Sequence, residues 1–183
     1  MFIRDCVMFS IAATAAAATM AQGYGIGKKA TDKEIAGWNI DIAPDGKGLP
    51  AGSGNVALGK EIYDQKCAAC HGAKGEGKPA DELVGGAGSL KTKPVRTIGS
   101  FWPYATTVYD YVYRSMPYTN PQSLTANETY AVTAYLLHLN GIVGADAVMD
   151  ASSLPKVQMP NRAGFFVLGG TDTANRACTA ECK

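Results

Sequence analysis

Two cysteines and a histidine within residues 67–71 constrain this chain more than any other feature of its sequence. Cys67, Cys70 and His71 form the pattern Cys-x-x-Cys-His, which places two thiols on one turn of chain and an imidazole directly after them. Thiols at this spacing can add across the two vinyl groups of a haem edge, and the imidazole can then bind the iron. The pattern therefore predicts one covalently attached haem c, anchored by Cys67 and Cys70, with His71 as the proximal iron ligand.

Two other uses of the cysteines compete with haem attachment. A zinc site could combine Cys67 and Cys70 with Cys178 and Cys182, but 108 positions (178 − 70) separate the two pairs. That gap is far wider than the spacing of common zinc sites. A dithiol redox motif is expected beside a βαβ unit, and the surrounding sequence has no such pattern. Haem is the favoured cofactor.

An iron held by His71 has a sixth coordination position to fill. Met116 ends an apolar helical face and precedes a proline and the last helix, so we predict that its thioether is the distal ligand. The other candidates are Met149 and Met159 in the tail and His138, which is more typical of a core or helix-end residue. A His–Met pair closes both axial positions and raises the reduction potential. We therefore expect an electron carrier with no catalytic residue of its own.

The stretch 55–66 is helical in pattern and delivers Cys67 at its end. Val56, Gly59 and Tyr63 fall on one face at intervals of three and four residues. A glycine inside a helix costs about 1 kcal/mol relative to alanine. Gly59 therefore predicts that another helix packs closely against this face.

Two further helices are predicted after a long loop rich in glycine and lysine. One begins at Pro103, a residue tolerated at the first helical position, and its apolar face leads to Met116. The other begins with Thr125 as N-cap, closes a capping box with Glu128 and ends before Gly141. It is apolar around most of its circumference and should be buried. The sequence thus predicts an all-α fold of three main helices around the haem.

Residues 1–21 have the pattern of an export signal. A short charged start with Arg4 precedes an apolar stretch and then small residues that end at Ala21. The apolar stretch is shorter than the roughly 20 residues that span a bilayer. We therefore expect cleavage near Ala21, a periplasmic location and no membrane span in the mature chain. Whether Cys178 and Cys182 then form a small disulfide stays open.

The segments on either side of the three helices are predicted to be extensions laid over the core. The spacing of Thr31 and Glu34 predicts a capping box for one helical turn. Residues 38–42 alternate as a short strand would, and a turn follows at residues 44–46. The apolar strip 165–168 is either a short strand or a strip docked on the core. The predicted division is a signal peptide at 1–21, an N-terminal extension at 22–54, a monohaem domain at 55–141 and a C-terminal extension at 142–183.

The charge balance argues against a polyanionic partner. The chain carries 17 Lys and Arg against 16 Asp and Glu, a formal net charge of +1, so no global field gathers nucleic acid. Lys91, Lys93 and Arg96 precede the second main helix. They either steer an acidic partner or form a solvated loop, and we favour the solvated loop.

The order helix, Cys-x-x-Cys-His, loop, helix, Met-Pro and final helix resembles class I cytochromes c. Between Trp38 and Arg162 the chain is similar, more narrowly, to the cytochrome subunit of the Sox sulfur dehydrogenase. The matching segments are 37–41 (GWNID), 45–50 (DGKGLP), 97–105 (TIGSFWPYA) and 114–117 (RSMP). Some members of that family carry a second C-terminal haem domain, but here no histidine follows Cys178 and Cys182 in a second attachment pattern.

In that family the cytochrome partners a molybdenum-containing subunit of the sulfite oxidase type. The resemblance implies that electrons leave a sulfur species at the molybdenum centre and pass through this haem to a downstream cytochrome c. The alternatives are a free-standing carrier, a subunit of another periplasmic oxidoreductase, or a haem enzyme or sensor with an open sixth position.

Overall fold

A computed structural model describes residues 27–166 of the 183-residue chain. The chain divides after Asn39 into two units, each described by itself. The predicted export signal with its cleavage point at Ala21, Cys178 and Cys182 all lie outside the described residues. Helices dominate the described part, which confirms the predicted fold class. Within residues 27–166, no helix combines the length and the apolar character needed to cross a membrane.

The first unit contains helix α1, Asp32–Trp38, and the predicted capping box starts it. Thr31 accepts a hydrogen bond from the backbone N–H of Glu34 at 3.3 Å, and the Glu34 carboxylate accepts from the backbone N–H of Thr31 at 2.8 Å. The helix runs for about two turns instead of one. The predicted strand at 38–42 is wrong, because Trp38 completes α1 and residues 39–43 adopt no regular secondary structure.

Helix α2, Val56–Lys66, and the single turn α3, Ala68–His71, carry the cysteine–histidine pattern. Asn55 is the N-cap of α2, so the predicted helix is confirmed with its start moved by one residue. At the other end, the backbone N–H of Cys67 donates to the Tyr63 carbonyl at 2.8 Å. The buried residues of α2 are Val56, Gly59, Ile62 and Tyr63.

Helix α4, Ala105–Ser115, starts two residues later than predicted. Its N-cap, Tyr104, has an extended backbone (φ −137°, ψ 135°), which leaves Pro103 before the helix instead of at its first position. Met116 is the C-cap and is also extended (φ −121°, ψ 149°), as expected for a residue that precedes a proline. The chain therefore leaves α4 at Met116, as predicted.

Helix α5, Ala126–Leu139, is the most buried element, and its local signals are confirmed. Thr125 and Glu128 form the predicted capping box. Gly141 follows the helix with a φ of +67°, a conformation that glycine adopts at little cost. An unbroken buried run from Thr129 to Leu137 shows that α5 is the central helix of the second unit.

Glycines allow other elements to approach α5 closely. A Cβ added at Gly59 would lie 1.9 Å from the Ala131 carbonyl oxygen, which confirms the predicted close packing of a second helix on α2. A two-stranded antiparallel sheet also lies here: β1, Ser53–Asn55, pairs with β2, Val148–Asp150. A Cβ at Gly54 would lie 2.2 Å from the Ala131 backbone nitrogen. The sequence did not predict this sheet, since its strands have only three residues each.

Between α3 and α4 the chain forms the predicted long loop, interrupted by one 3₁₀ turn at Ser89–Lys91. At the C-terminal side, the apolar strip 165–168 is only half described, since residues 167 and 168 lie outside the described range. Phe165 is not in a strand. Its ring lies edge-on to Phe101 with centroids 5.1 Å apart, so this residue docks on the loop before α4.

Candidate functional site

A cavity of about 420 Å³ brings together the four predicted site residues, Cys67, Cys70, His71 and Met116. Its volume lies within the range typical of cofactor pockets. Apolar side chains from α4, α5 and the long loop form much of the remaining wall. They include Leu83, Ile98, Trp102, Val108, Val112, Val132 and Leu136.

Backbone hydrogen bonds fix the turn that carries the cysteines. The N–H of His71 donates to the Cys67 carbonyl at 3.0 Å, and the N–H of Gly77 donates to the His71 carbonyl at 2.8 Å. The N–H of Ala80 donates to the Cys70 carbonyl at 2.9 Å. The loop therefore folds back on α3 and holds the Cys-x-x-Cys-His segment from both sides.

The imidazole of His71 is oriented by a backbone carbonyl. Its Nδ1 lies 2.8 Å from the carbonyl oxygen of Asp81, and since a carbonyl can only accept, Nδ1 carries the proton. The Nε2 lone pair is then available to a metal, the arrangement by which proteins orient histidine ligands.

The two cysteines are not joined to each other by a disulfide, and they differ in exposure. Cys70 is exposed, whereas Cys67 is partly buried, and burial raises the pKa of its thiol to about 11. A dithiol redox site instead needs a lowered thiol pKa, which keeps the attacking sulfur as a thiolate. The environment of Cys67 does not fit that alternative.

Among the candidate distal ligands, Met116 is the one placed in the cavity wall. Met149 and Met159 are buried elsewhere in the core, at 6% and 3% exposure, and neither lines the cavity. His138 is also absent from the lining, and its Nδ1 lies 3.2 Å from the Val143 carbonyl at the end of α5. The arrangement therefore favours Met116 on geometric grounds.

Two contributors to the site were not predicted from the sequence. The Tyr63 hydroxyl donates to the Gly72 carbonyl at 2.8 Å, directly after His71, and burial raises the pKa of Tyr63 to about 12. Arg96, placed by the sequence in a docking or solvated loop, is exposed but also lines the cavity, and its guanidinium lies 5.6 Å from the Phe101 ring centroid. The apolar face of α2 indicates that Tyr63 is buried, but nothing local indicates its hydrogen-bond partner.

The donor set and its surroundings fit a covalently bound haem. Two thiols, a ring nitrogen and a thioether line one largely apolar cavity, as attachment at a haem edge and His–Met ligation require. Within residues 27–166, no cluster of three or more Cys, His, Asp or Glu side chains is arranged to hold a bare metal ion. The described part of the chain therefore offers a cavity whose donor atoms fit a porphyrin.

Comparison with known proteins gives two matches. The sequence model of the cytochrome c family matches residues 56–140. A chain in the crystal structure of the sulfane dehydrogenase SoxCD from Paracoccus pantotrophus is 42% identical to this one, with a TM-score of 0.76. The similarity covers 88% of this chain and 83% of that chain. No match is found among curated proteins.

Proposed function

Since this chain belongs to the cytochrome c family, and is therefore an electron-transfer protein with covalently attached haem c, we propose that it is the electron-transfer subunit of a periplasmic, molybdenum-dependent sulfur or sulfite dehydrogenase. It accepts electrons from the molybdenum-containing subunit and passes them to a downstream cytochrome c. The observation that carries this proposal is the 42% identity to a chain of SoxCD over most of both chains.

Four residues hold the haem in this proposal. Cys67 and Cys70 would anchor it through thioether bonds, His71 would bind the iron through Nε2, and Met116 would bind it through its thioether. The hydrogen bond from His71 Nδ1 to the Asp81 carbonyl supports this assignment, because it leaves Nε2 available as a ligand. Placement of all four side chains in one cavity wall supports it further.

Haem c, when bound, supplies an iron centre that takes up and releases one electron at a time. The chain's own residues control its surroundings. Val108, Val112 and Leu136 make this part of the wall apolar, and the burial and polarity of a haem's surroundings are among the means by which a protein tunes its potential. If His71 and Met116 both bound the iron, they would leave no open position for a substrate.

The sequence pattern of an export signal supports the assignment of this protein to the periplasm. The signal pattern at residues 1–21 predicts passage to a compartment in which haem is attached to Cys-x-x-Cys-His sequences. The sequence pattern and family membership together support this location.

The partner subunit should dock where aromatic side chains line the cavity mouth. Tyr118 is 83% exposed and Tyr111 is 48% exposed, and both line the cavity. The Tyr111 ring lies edge-on to Trp102, with centroids 5.6 Å apart. Exposed tyrosine and tryptophan are the residues that most often dominate protein–protein binding energy.

Rapid mixing with a purified molybdenum-containing dehydrogenase subunit tests this function. The haem-loaded chain is mixed with that subunit and either sulfite or a sulfane-sulfur compound, and haem reduction is followed by absorbance. We expect reduction only when both the subunit and a sulfur substrate are present, together with co-elution of the two proteins in gel filtration. Absence of both reduction and co-elution would favour a free-standing carrier or another oxidoreductase.

A matched pair of variants places the docking surface. Tyr118→Asp should slow reduction by about fivefold or more, since truncating a central aromatic contact commonly costs over 1 kcal/mol of binding energy. Val148→Asp introduces the same charge at a half-exposed apolar residue of β2 that does not line the cavity, and it should leave the rate unchanged. Equal rates in the two variants would remove Tyr118 from the docking surface.

A further inference from the structure

Helix α4 presents different sides to different parts of the molecule. At roughly 100° per residue, Val108 and Val112 lie on the side that lines the cavity. Tyr109 lies on a second side, where its ring contacts α5. Thr106 and Asp110 lie on the side opposite the cavity. What contacts this third side limits how far α4 can move away from the cavity.

A short segment of the chain, residues 42–44, contacts this third side, and we call it the brace segment. The backbone N–H of Ile42 donates to Asp110 Oδ1 at 3.0 Å. The Thr106 hydroxyl donates to the carbonyl oxygen of Pro44 at 3.1 Å. Both hydrogen bonds join the brace segment to the back of α4, more than 60 residues away in sequence.

The environment of Asp110 shows that its side-chain oxygen is used for this connection. Asp110 is 7% exposed, and a buried carboxylate is costly unless hydrogen bonds satisfy it. It accepts from the Ile42 N–H and, at 2.9 Å, from Nε of Arg114 one turn further along α4. The pair Lys60–Asp64 also spans one helical turn, but it is exposed and remains within α2.

Met116 depends directly on the position of α4. It is the C-cap of the helix, and its backbone N–H donates to the Val112 carbonyl at 3.0 Å. Because Val112 lines the cavity, a shift of the last turn of α4 away from the cavity carries Met116 with it. The brace segment lies in the path of such a shift.

We infer that Asp110 is a positioning residue for Met116: its hydrogen bond to the brace segment holds the last turn of α4 against the cavity and thereby keeps the thioether in place. This inference rests on the proposed role of Met116 as the distal ligand. It assigns to the segment before the haem-attachment helix a role in ligand retention.

Imidazole binding to the oxidised, haem-loaded protein tests this inference by absorbance titration. Added imidazole binds only the fraction of molecules in which Met116 has left the iron, so its apparent Kd reports the population of that open state. Asp110→Ala should bind imidazole about tenfold more tightly. It removes the buried hydrogen bond from the Ile42 N–H, which stabilises only the state in which Met116 remains on the iron. Asp110→Asn keeps an oxygen that accepts from Ile42 and should stay within about threefold of the wild type.

Two further variants make the result specific. Asp64→Ala removes the exposed pair in α2 and should leave imidazole affinity unchanged. Thr106→Val removes the second hydrogen bond to the brace segment and should tighten imidazole binding by about threefold. If Asp110→Ala does not fold, Thr106→Val still tests whether the brace segment holds α4 in place. Wild-type affinity in a folded Asp110→Ala protein, or in Thr106→Val, overturns the inference.

Met116→Ala separates failure of the inference from failure of the proposed function. If Met116 is the ligand, this variant binds imidazole far more tightly than the wild type whatever the brace segment does. If Met116→Ala binds imidazole no more tightly than the wild type, the ligand assignment is wrong and the inference falls with it. If Met116→Ala binds imidazole tightly while Asp110→Ala binds it as the wild type does, the positioning role of Asp110 is wrong and the ligand assignment of Met116 stands.

Discussion

Single residues of the haem site are oriented by backbone atoms more than by other side chains. The ring of His71 donates to the carbonyl of Asp81, and the hydroxyl of Tyr63 donates to the carbonyl of Gly72. Neither partner uses its side chain in these bonds. The orientation of the imidazole therefore depends on the path of the loop after α3, and it should tolerate a change of side chain at residue 81.

Replacement of Met116 by alanine tests the distal ligand. A thioether raises the haem reduction potential and gives a characteristic absorption band from its bond to iron. In Met116→Ala we expect this band to disappear, the potential to fall and the reduced protein to bind carbon monoxide. Visible absorbance and a redox titration measure these changes.

Met159→Ala is the matched control for this experiment. Met159 is also buried and also followed by a proline, but it does not line the cavity. We expect Met159→Ala to lower stability by about 2 kcal/mol or more, as truncation of a buried methionine does, and to keep the absorption band. A band that survives in Met116→Ala would exclude Met116 as the ligand.

At the scale of elements, the crossing of α2 over α5 determines where the cysteines lie. Gly59 contacts the backbone of Ala131, and the rings of Tyr63 and Tyr135 pack with centroids 5.3 Å apart. Since Cys67 directly follows α2, the separation of the two helices sets how far its sulfur reaches into the cavity.

Gly59→Ala should therefore separate the two helices. The added Cβ would meet the Ala131 carbonyl oxygen at 1.9 Å and the Tyr135 Cβ at 2.8 Å, contacts that only a backbone shift can relieve. We expect a loss of about 2 kcal/mol or more in the free energy of unfolding. Denaturant unfolding followed by circular dichroism measures it.

The control is Gly37→Ala in α1, where an added Cβ meets nothing within 4 Å. It should change the free energy of unfolding by less than about 1 kcal/mol, because only helix propensity changes. Equal stability of Gly59→Ala and the wild type would show that the helices can separate without cost.

How well each element could be predicted depends on whether its signals are local. The capping boxes of α1 and α5 each lie within four residues, so the sequence predicted both. The alternation at 38–42 was misleading, because Trp38 completes a helix and Ile42 is a buried residue whose backbone N–H donates to Asp110 instead of to a strand. Strands β1 and β2 pair across about 95 residues, and a three-residue strand carries too little pattern to be recognised.

The site followed the same rule. The Cys-x-x-Cys-His pattern lies entirely within residues 67–71. The sequence alone therefore predicted Cys67, Cys70 and His71 as haem attachment residues. The sequence favoured Met116 over Met149 and Met159 only because of its place at the end of an apolar helical face, before a proline and the last helix. The structure favours Met116 because it places that side chain in the cavity wall. Asp110 could not be found from sequence, since its partner Ile42 lies 68 positions away.

At the scale of the whole second unit, an ion pair joins the end of α2 to the start of α5. Lys66 at the end of α2 donates to Glu128 in the first turn of α5 at 2.8 Å. The Lys66 ammonium, together with hydrogen bonds from Thr125, lowers the pKa of Glu128 to about 2. Glu128 thus serves both the capping box and the contact between the two helices that frame the cavity.

This lowered pKa predicts how stability depends on pH. In the unfolded chain Glu128 titrates near its ordinary value of 4.5, so its ionised form is favoured by folding. The resulting stabilisation is fully present above about pH 4.5 and is lost as the pH falls towards about 2.

Glu128→Gln keeps a capping oxygen but loses the charge. We expect it to be less stable than the wild type by up to about 1 kcal/mol at pH 7, since solvent screens a partly exposed pair. The difference should shrink as the pH falls below 4.5. Denaturant unfolding at pH 7, 4.5 and 2.5 measures it, with Asp64→Asn as a control that removes an exposed pair within one helix. A difference that stays constant with pH would mean that the effect of Glu128 arises from the cap geometry and not from its charge.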